Sequence, residues 1–521
     1  MSKRPLVLTF DCGTQSIRAL LVDDLGNIVA KEQQSFVPYY SLKPGYAEQK
    51  PEVYVDALVQ TSTRIHANHP ELIDDIIAVT ITTIRDTCVC LDKDGKPLRD
   101  IMVWLDNREA KCATPLPLLS RLAFSAVGMT SALEDQRKIT KSNWIIENEP
   151  DIWAKTDKYV VLSTYFVSLF TGKLIDSSAS QVAHIPFDFK TKTWFKESNI
   201  KFGIFNVPTE KLIDIIEPGE VLGHISEEAA QRFHIKAGLP LIATGSDKGC
   251  ETLGCGVLDN DMASLSFGTT ATIQTSMRKY VEPQQFMPAY PGVASGTFNP
   301  EIQIYRGYWM VNWFKKEFAE KEVVQAKAKG IAPEELLNMR LKEIPPGSDG
   351  LMLQPYWGPS LKIPEAKGSV IGFSHVHTRI HVYKAIIEGI NYGLIDGMKH
   401  IEKRTKQPIS ALTVSGGGSQ SDEICQITAD MFGKPVHKIQ TYEACGLGSS
   451  MVAFVSLGIH SSYQAAVKAM VHYTKTYTPN PEHHQLYQEL YHKIYRRIYH
   501  QLSPLYQDLR TILSERNQFH E

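Results

Sequence analysis

Leu6-Val7-Leu8-Thr9-Phe10-Asp11-Cys12-Gly13-Thr14-Gln15-Ser16-Ile17-Arg18-Ala19-Leu20-Leu21-Val22 is the stretch whose reading decides the fold. Leu6–Phe10 is an apolar first strand, Ser16–Val22 alternates as a second, and the acidic, Gly-containing piece between them reverses the chain. Asp23-Asp24-Leu25-Gly26-Asn27 is a turn before a third strand at Ile28–Glu32, so the chain opens as a β-meander. Pro51 starts a helix that runs to about Ala67. Strands follow at Ile76–Ile81 and Cys88–Leu91. The strand, Gly turn, strand pattern returns at Ala263–Met277 around Gly268-Thr269-Thr270. That echo is an internal repeat in pattern and predicts two domains of related α/β architecture meeting near residue 256. The length of 521 residues agrees, because single cores stop growing well below it. The expected division is 1–256, 257–475 and a helical tail, 476–521, packed on the second domain.

The later half reads mainly as helices. Val382, Ala385, Ile386, Gly389, Ile390, Leu394, Met398 and Ile401 recur at helical spacing over His381–Ile401. Leu412–Val414 is a short strand, and Glu423–Phe432 and Gly446–Leu457 are helices. In the tail, Leu486, Leu490, Ile494, Ile498 and Leu502 lie four apart beside Tyr487, Tyr491, Tyr495 and Tyr499, as a docked amphipathic helix.

Composition excludes several classes. Hydrophobic residues make up 43% and charged residues 21%, with a formal net charge of -2, so no basic field points to nucleic acid. The apolar start is interrupted by Asp11 before it can form a signal-peptide core, and no stretch is long enough to span a membrane. Eight cysteines show no CxxC pair or metal-ligand spacing. A cytoplasmic protein is expected. His375, His377 and His381 lack the Glu of an H-E-x-x-H site, so a zinc reading is set aside. The oligomeric state is not fixed by the sequence, and a homodimer is compatible with it.

Four elements carry candidate chemistry. In Asp11-Cys12-Gly13-Thr14-Gln15-Ser16, the glycine permits a tight turn whose N–H groups and Thr14 and Ser16 hydroxyls can face an anion. Asp11 can hold Mg²⁺ through water; a plain Asx-type hairpin turn is the alternative. Gly268-Thr269-Thr270 is a second such turn, and two facing turns would cradle a polyphosphate. Ser415-Gly416-Gly417-Gly418-Ser419-Gln420-Ser421 joins a strand to a helix and allows close backbone approach by a ligand; it is neither a Walker loop nor a Rossmann fingerprint. Finally, the strand Pro240–Ala243 ends in Gly245-Ser246-Asp247-Lys248-Gly249. There a carboxylate is presented among small residues, compatible both with a catalytic group and with a helix cap. Arg85-Asp86 and Trp104-Leu105-Asp106-Asn107-Arg108 are polar clusters able to bind a polyhydroxyl ligand or to form surface ion pairs.

In this order, these elements resemble the FGGY carbohydrate kinases, from about Leu6 to Leu502. Asp11 to Ser16 resembles the family's D-x-G-T-x-S phosphate loop, Gly45-Tyr46-Ala47-Glu48-Gln49-Lys50-Pro51 its G-W-x-E-Q-x-P segment, and Trp104 to Arg108 its W-x-D-x-R. Gly268-Thr269-Thr270 is similar to the second phosphate loop, Gly368 to Gly389 to the C-terminal signature, with Phe373 where an aliphatic is usual, and Ser415 to Gln426 to the adenosine loop. The resemblance implies two ribonuclease-H-like, actin/hexokinase-type ATPase domains with a cleft between them. It implies ATP with Mg²⁺ on the second domain, Gly13, Thr14, Gln15, Ser16, Gly268, Thr269, Gly307, Gly416, Gly417, Gly418 and Ser421 about the nucleotide, Asp11 at the metal and Asp247 as catalytic base.

For the acceptor it implies a small sugar, polyol or related metabolite, held by Arg85, Asp86, Trp104, Asp106 and Lys248. Arg85-Asp86 looks like the Arg-Glu pair of glycerol kinases and unlike the Met-His-Gly of xylulose kinases. Yet Leu105 and Lys248 stand where glycerol kinases carry Gln. Pro345-Pro346-Gly347-Ser348 and the Pro479–Tyr487 stretch are shared with autoinducer-2 kinases. Lys248 either faces the acceptor, favouring a carboxylate, a carbonyl or extra hydroxyls, or points outward. A non-catalytic sugar- or nucleotide-binding regulator of actin-type fold is the alternative; it would need an output module, and no helix-turn-helix or basic arm is evident.

Overall fold

A computed structural model describes residues 4–112, 115–126, 128–357 and 365–515. Residues 1–3 of the stretch weighed as a signal peptide, and 516–521 of the expected tail, lie outside the described residues.

The opening meander forms as β1 (Leu6–Cys12), β2 (Ser16–Asp23) and β3 (Ile28–Ser35), all antiparallel neighbours. Helix α1 (Pro51–Asn68) carries the chain to β4 (Ile76–Thr83), which pairs parallel with β1 and brings Thr82 beside Asp11. β5 (Val221–His224) and β6 (Pro240–Ile242) complete a six-stranded sheet in the order β5-β6-β4-β1-β2-β3. Helix α2 (Asp247–Gly254) follows β6.

The second sheet repeats the plan. β7 (Met262–Phe267), β8 (Ala271–Gln274) and β9 (Glu301–Ile304) form an antiparallel meander. Helices α3 (Trp309–Phe318) and α4 (Arg379–Thr405) precede β10 (Ala411–Ser415), which pairs parallel with β7. β11 (Val436–Ile439) and β12 (Tyr473–Tyr477) give the order β9-β8-β7-β10-β11-β12. In both sheets the first strand lies between its hairpin partner and a parallel fourth strand, so the repeat seen in pattern is a repeat of topology. One difference is that the antiparallel edge strand precedes the fifth strand in the first sheet and follows it in the second. β12 also runs across the expected boundary between the second domain and the tail, at residues 475 and 476.

α5 (Asp422–Phe432) and α6 (Ala444–Ser456) fall where the sequence places helices. α6 is apolar all round and is buried on both sides: Leu447, Met451 and Phe454 share a core with Val7, Leu20 and Val22 of the first sheet. It crosses α2 at two glycines. A Cβ added to Gly254 would lie 1.9 Å from the Ala444 carbonyl oxygen, and one added to Gly448 would lie 1.9 Å from that of Cys250.

The tail docks as an amphipathic helix, and its tyrosines take most of the buried face. α7 (Pro481–Leu490) passes through a π-helical turn at Tyr491–Tyr495 into α8 (Arg496–Glu515). Tyr487, Tyr491 and Tyr495 are buried, whereas Leu486 and Ile494 are 43% and 42% exposed. Residues four apart drift around a helix of 3.6 residues per turn, and the wider π turn resets that drift, keeping the three rings on α4. The Tyr487 hydroxyl donates to Glu388 (2.7 Å) and the Tyr491 hydroxyl to Asp396. A tyrosine therefore buries its ring and still satisfies its polar end.

No helix among the described residues is long and apolar enough to cross a membrane. All eight cysteines are free. His381 caps α4 through Thr378 and meets Asp349 at 3.0 Å, while His377 accepts from the Ser374 N–H. Among the described residues no group of three or more His, Cys, Asp or Glu is set to hold a metal ion.

Candidate active site

The turns after β1 and β6 in one sheet, and after β7 and β10 in the other, open on a shared cavity of about 320 Å³. Parallel strands place their following turns at one edge, which is where ligand sites form in such sheets. Asp11, Gly13, Asp247, Lys248, Gly268, Gly416 and Gly417 all line it. Elements more than 400 residues apart in sequence thus meet at one opening.

Asp11 sits at the end of β1 with its carboxylate 4% exposed, accepting from Arg18 Nη1 at 3.0 Å. Burial pushes its pKa up to about 6, helped by Glu443 and Asp247 and opposed by Arg18. The turn after it closes by a Gly13 N–H to Ser16 carbonyl bond of 2.9 Å. Gln15 is exposed and Ser16 buried. The Thr14 hydroxyl receives the indole N–H of Trp104 at 3.1 Å, which ties that turn to the Trp104 segment.

Asp247 is the first residue of α2, and Ser246 holds the N-cap position. A Cβ on Gly245 would fall 2.5 Å from Val293 Cγ1 and 2.8 Å from Ala179 Cβ, so glycine permits the close packing here. One Asp247 oxygen accepts from the Lys248 backbone N–H at 2.8 Å and lies 3.8 Å from Arg85 Nε. Burial raises the Asp247 carboxyl above its ordinary value, with Lys248 and Arg85 opposing.

Arg85 reaches from the first sheet to the second. Its Nη1 donates to Glu301 on β9 at 2.7 Å, its Nε to Ser246 at 3.1 Å, and its plane lies over the Tyr290 ring. Asp86, in a left-handed conformation with φ 47°, is occupied by Lys141 (2.6 Å), His184 Nδ1 (3.0 Å) and the His184 N–H (3.0 Å). Burial raises its carboxyl, but His184 and Lys141 outweigh that and hold it well below the usual range.

Asp106 is placed differently. Both of its oxygens are bonded to Arg108, and one also accepts the Ala47 N–H at 2.7 Å. Arg108 lies 3.7 Å from the Tyr46 ring centroid. With its side chain 1% exposed, Asp106 offers no free oxygen to a ligand and braces the segment that positions Trp104.

On the second sheet, Thr269 is exposed at the tip of the β7–β8 turn. The carbonyls of Gly268 and Thr269 accept from Tyr308 and Trp309 at the start of α3. Gly307 serves this packing, since a Cβ there would be 2.4 Å from Ala271 Cβ. In the third loop, Gly416 has φ +78° and a Cβ on Gly418 would strike the Tyr308 ring at 2.4 Å, but one on Gly417 would meet nothing within 4 Å. Ser421 caps α5 by accepting the Ile424 N–H. The resemblance to FGGY kinases implies a nucleotide at this loop, and on that expectation Gly417→Val should leave folding intact and raise KM for ATP by about tenfold or more, with acceptor KM unchanged; equal effects on both substrates would assign Gly417 to the turn alone.

Lys248 does not point outward. Its Nζ lies 2.7 Å from Glu251 and 2.5 Å from the Ser266 hydroxyl at the end of β7. Several lining residues were not picked out from sequence: Arg18, Glu251, Tyr442, Glu443 and Cys445. Arg18 shares a strand face with Ser16, and Glu251 lies one helical turn beyond Asp247, so periodicity held a signal for both. Nothing local marks Tyr442, Glu443 and Cys445, which reach the cavity because α6 docks on the first sheet. Glu443 is fixed there by Arg18 and Lys31.

Residues 6–254 match the FGGY family of carbohydrate kinases, N-terminal domain, and residues 263–457 match its C-terminal domain. Xylulose kinase of Lactococcus lactis subsp. lactis is 27% identical over 490 residues, covering 93% of this chain and 94% of that protein. Gluconokinase of Bacillus subtilis is 26% identical over 479 residues, 91% of each chain. The solved structure of gluconate kinase from Lactobacillus acidophilus superposes with a TM-score of 0.80 at 23% identity, covering 97% of this chain and all of that one. The likeness shows the same two-domain ribonuclease-H-like, actin-type fold.

Proposed function

Because the chain belongs to the FGGY family of carbohydrate kinases, we propose that its cleft transfers the γ-phosphoryl group of ATP to a hydroxyl of a small neutral sugar or polyol, with Asp247 as general base. The family assigns ATP-dependent phosphorylation of a carbohydrate; the base, the loops and the acceptor class are the finer reading. The observation that carries it is the shared cavity, lined by a half-buried carboxylate at a helix start and by two glycine turns from the opposite sheet.

Phosphoryl transfer needs alignment, charge neutralisation and a base for the attacking hydroxyl. Asp247 accepts the hydroxyl proton. The turns at Gly13 and Gly268 hold phosphate oxygens through backbone N–H groups, and the open face of Gly417 takes the nucleoside. The cavity lining carries four carboxylates (Asp11, Asp247, Glu251 and Glu443) against two cations (Arg18 and Lys248). A polyanionic nucleotide fits such a lining only with a hard cation, and oxygen donors suit magnesium. Asp11 would hold Mg²⁺ through water, and the ion would supply neutralisation of the phosphate charge.

The acceptor end supports an uncharged compound. Arg85 is spent on Glu301 and Asp247, and Lys141 on Asp86. A sugar acid would meet Asp86, Asp247 and Glu301, with Arg85 and Lys141 already paired to these carboxylates. Like-charge juxtaposition costs several kcal/mol, so ketoses or polyols should exceed aldonates by about 100-fold or more in kcat/KM. A panel of polyols, ketoses and sugar acids assayed for ADP release, with the product read by phosphorus NMR, tests this. A sugar acid as the best acceptor would refute the neutral-acceptor reading and leave the kinase assignment standing.

A further inference from the structure

We infer that the Lys248 ammonium is a catalytic cation for the phosphoryl group in flight rather than an acceptor contact, an inference that rests on reading the cleft as a phosphoryl-transfer site. Lys248 neighbours the base on the first turn of α2, yet its side chain leaves the first sheet's helix for the opposite wall. Its Nζ bonds to Ser266, two residues before the Gly268 turn, and lies 4.0 Å from where a Cβ on Gly268 would stand. Asp247 and Lys248 therefore put a base and a cation on one helical turn. The base is placed for the acceptor hydroxyl, and the cation stands over the turn that faces the phosphates.

The holding contacts are of the right kind. Glu251 Oε2 and the Ser266 hydroxyl engage two of the three ammonium protons. The third remains for the cavity that Lys248 lines. Glu251 is itself fixed by Ser415 at the end of β10, so the ammonium is located by both sheets. Burial alone would lower its pKa, but Glu251 and Asp247 more than reverse this, and the side chain stays charged across working pH. A permanently charged ammonium can neither donate nor accept a catalytic proton, so its contribution is electrostatic.

The transfer balances without further reactants. The acceptor oxygen forms the new P–O bond as the bond from the γ-phosphorus to the bridging oxygen breaks. The electron pair leaves on ADP, and the acceptor proton goes to Asp247. Charge spreads over the equatorial oxygens of the phosphoryl group in the transition state, and a fixed point charge there stabilises that state more than bound ATP.

The test compares the parent with Lys248→Gln and Lys248→Arg, using the best acceptor of the panel. For Lys248→Gln, kcat should fall by about 10²–10³-fold, the loss typical of one preorganised stabilising group, with acceptor KM within about threefold. Lys248→Arg should recover part of that loss. Binding supplies an activity-free readout: ADP alone should bind as in the parent, whereas ADP with magnesium and tetrafluoroaluminate, a mimic of the flying phosphoryl, should bind about 100-fold more weakly. If losing Lys248 leaves Glu251 unpaired and prevents folding, the Lys248→Met/Glu251→Gln double variant removes the orphaned charge and should show the same kcat loss. Unchanged tetrafluoroaluminate binding, a rise in acceptor KM with kcat preserved, or an active double variant would each overturn the inference. A parent that releases no ADP with any acceptor would instead overturn the kinase reading beneath it.

Discussion

Asp247→Asn should lower kcat by about 10²–10⁴-fold, the usual contribution of a general base, or roughly 3–5 kcal/mol of barrier. An alcohol is a weak nucleophile until its proton begins to leave, and Asp247 is the carboxylate placed to accept it. The amide keeps the shape of the side chain and still offers an oxygen to the Lys248 N–H, so the fold and ATP binding should survive. Asp11, the rival carboxylate, is tied to Arg18 below the first glycine turn. Asp11→Asn should therefore alter the Mg²⁺ dependence of the rate more than the proton-transfer step. Burial also sets a pH signature. Asp247 must be ionised to act, and its pKa is raised, so kcat/KM should climb with pH through a limb above the ordinary carboxylate range. That limb should vanish in Asp247→Asn. Retention of more than about a tenth of the parental kcat on the best acceptor would remove Asp247 from the role of base.

Much of this site was legible because its parts are local. The apolar run Leu6–Phe10 and the alternation of Ser16–Val22 marked both strands, and the acid and glycine between them marked the turn. Pro240–Ala243 followed by Asp247 read as a strand presenting a carboxylate, and α2 begins at that residue. The failures were failures of partner identity. Trp104 to Arg108 read as either a sugar-binding cluster or an ion pair, with nothing local to choose between them. Asp106 is consumed by Arg108, two residues away and stacked on Tyr46, and no local pattern records which neighbour a carboxylate meets. Lys248 read as facing the acceptor or the solvent because Ser266 and the Gly268 turn are brought to it only by the pairing of two sheets. In the tail, leucines and tyrosines repeat with the same spacing. The tyrosines win most of the buried face, where α4 offers Glu388 and Asp396 to the Tyr487 and Tyr491 hydroxyls, which is a property of the docking surface and not of the tail. Glycines show the same limit: Gly417 stands in open space and Gly448 in none, although both sit in short Gly-containing runs.

Gly448→Ala should therefore be among the most damaging single-methyl changes in the chain. Its Cβ would stand 1.9 Å from the Cys250 carbonyl oxygen and 2.7 Å from the Gly254 N, where ordinary van der Waals contact begins at 3.4 Å. Both obstacles are helix backbone, so no rotamer change relieves the clash, and α2 and α6 must separate by more than 1 Å. Overpacking of this kind costs about 1–3 kcal/mol and at times more, and here it also opens the contacts of Leu447 and Met451 with the first sheet. The second consequence is catalytic. α2 carries Asp247 and Lys248 on its first turn, so a retreat of the helix carries the proposed base with it, and misplacement by about 1 Å can cost about 100-fold in rate. Gly448→Ala should thus lower the urea midpoint of unfolding clearly and, in the fraction that folds, reduce kcat by about that factor, while Gly448→Val should fail to accumulate as folded protein. Gly417→Ala, which adds the same methyl to open space, should leave the urea midpoint unchanged. A Gly448→Ala protein with parental midpoint and parental kcat would mean that the crossing of α2 and α6 is looser than its geometry states, and that the position of Asp247 does not depend on it.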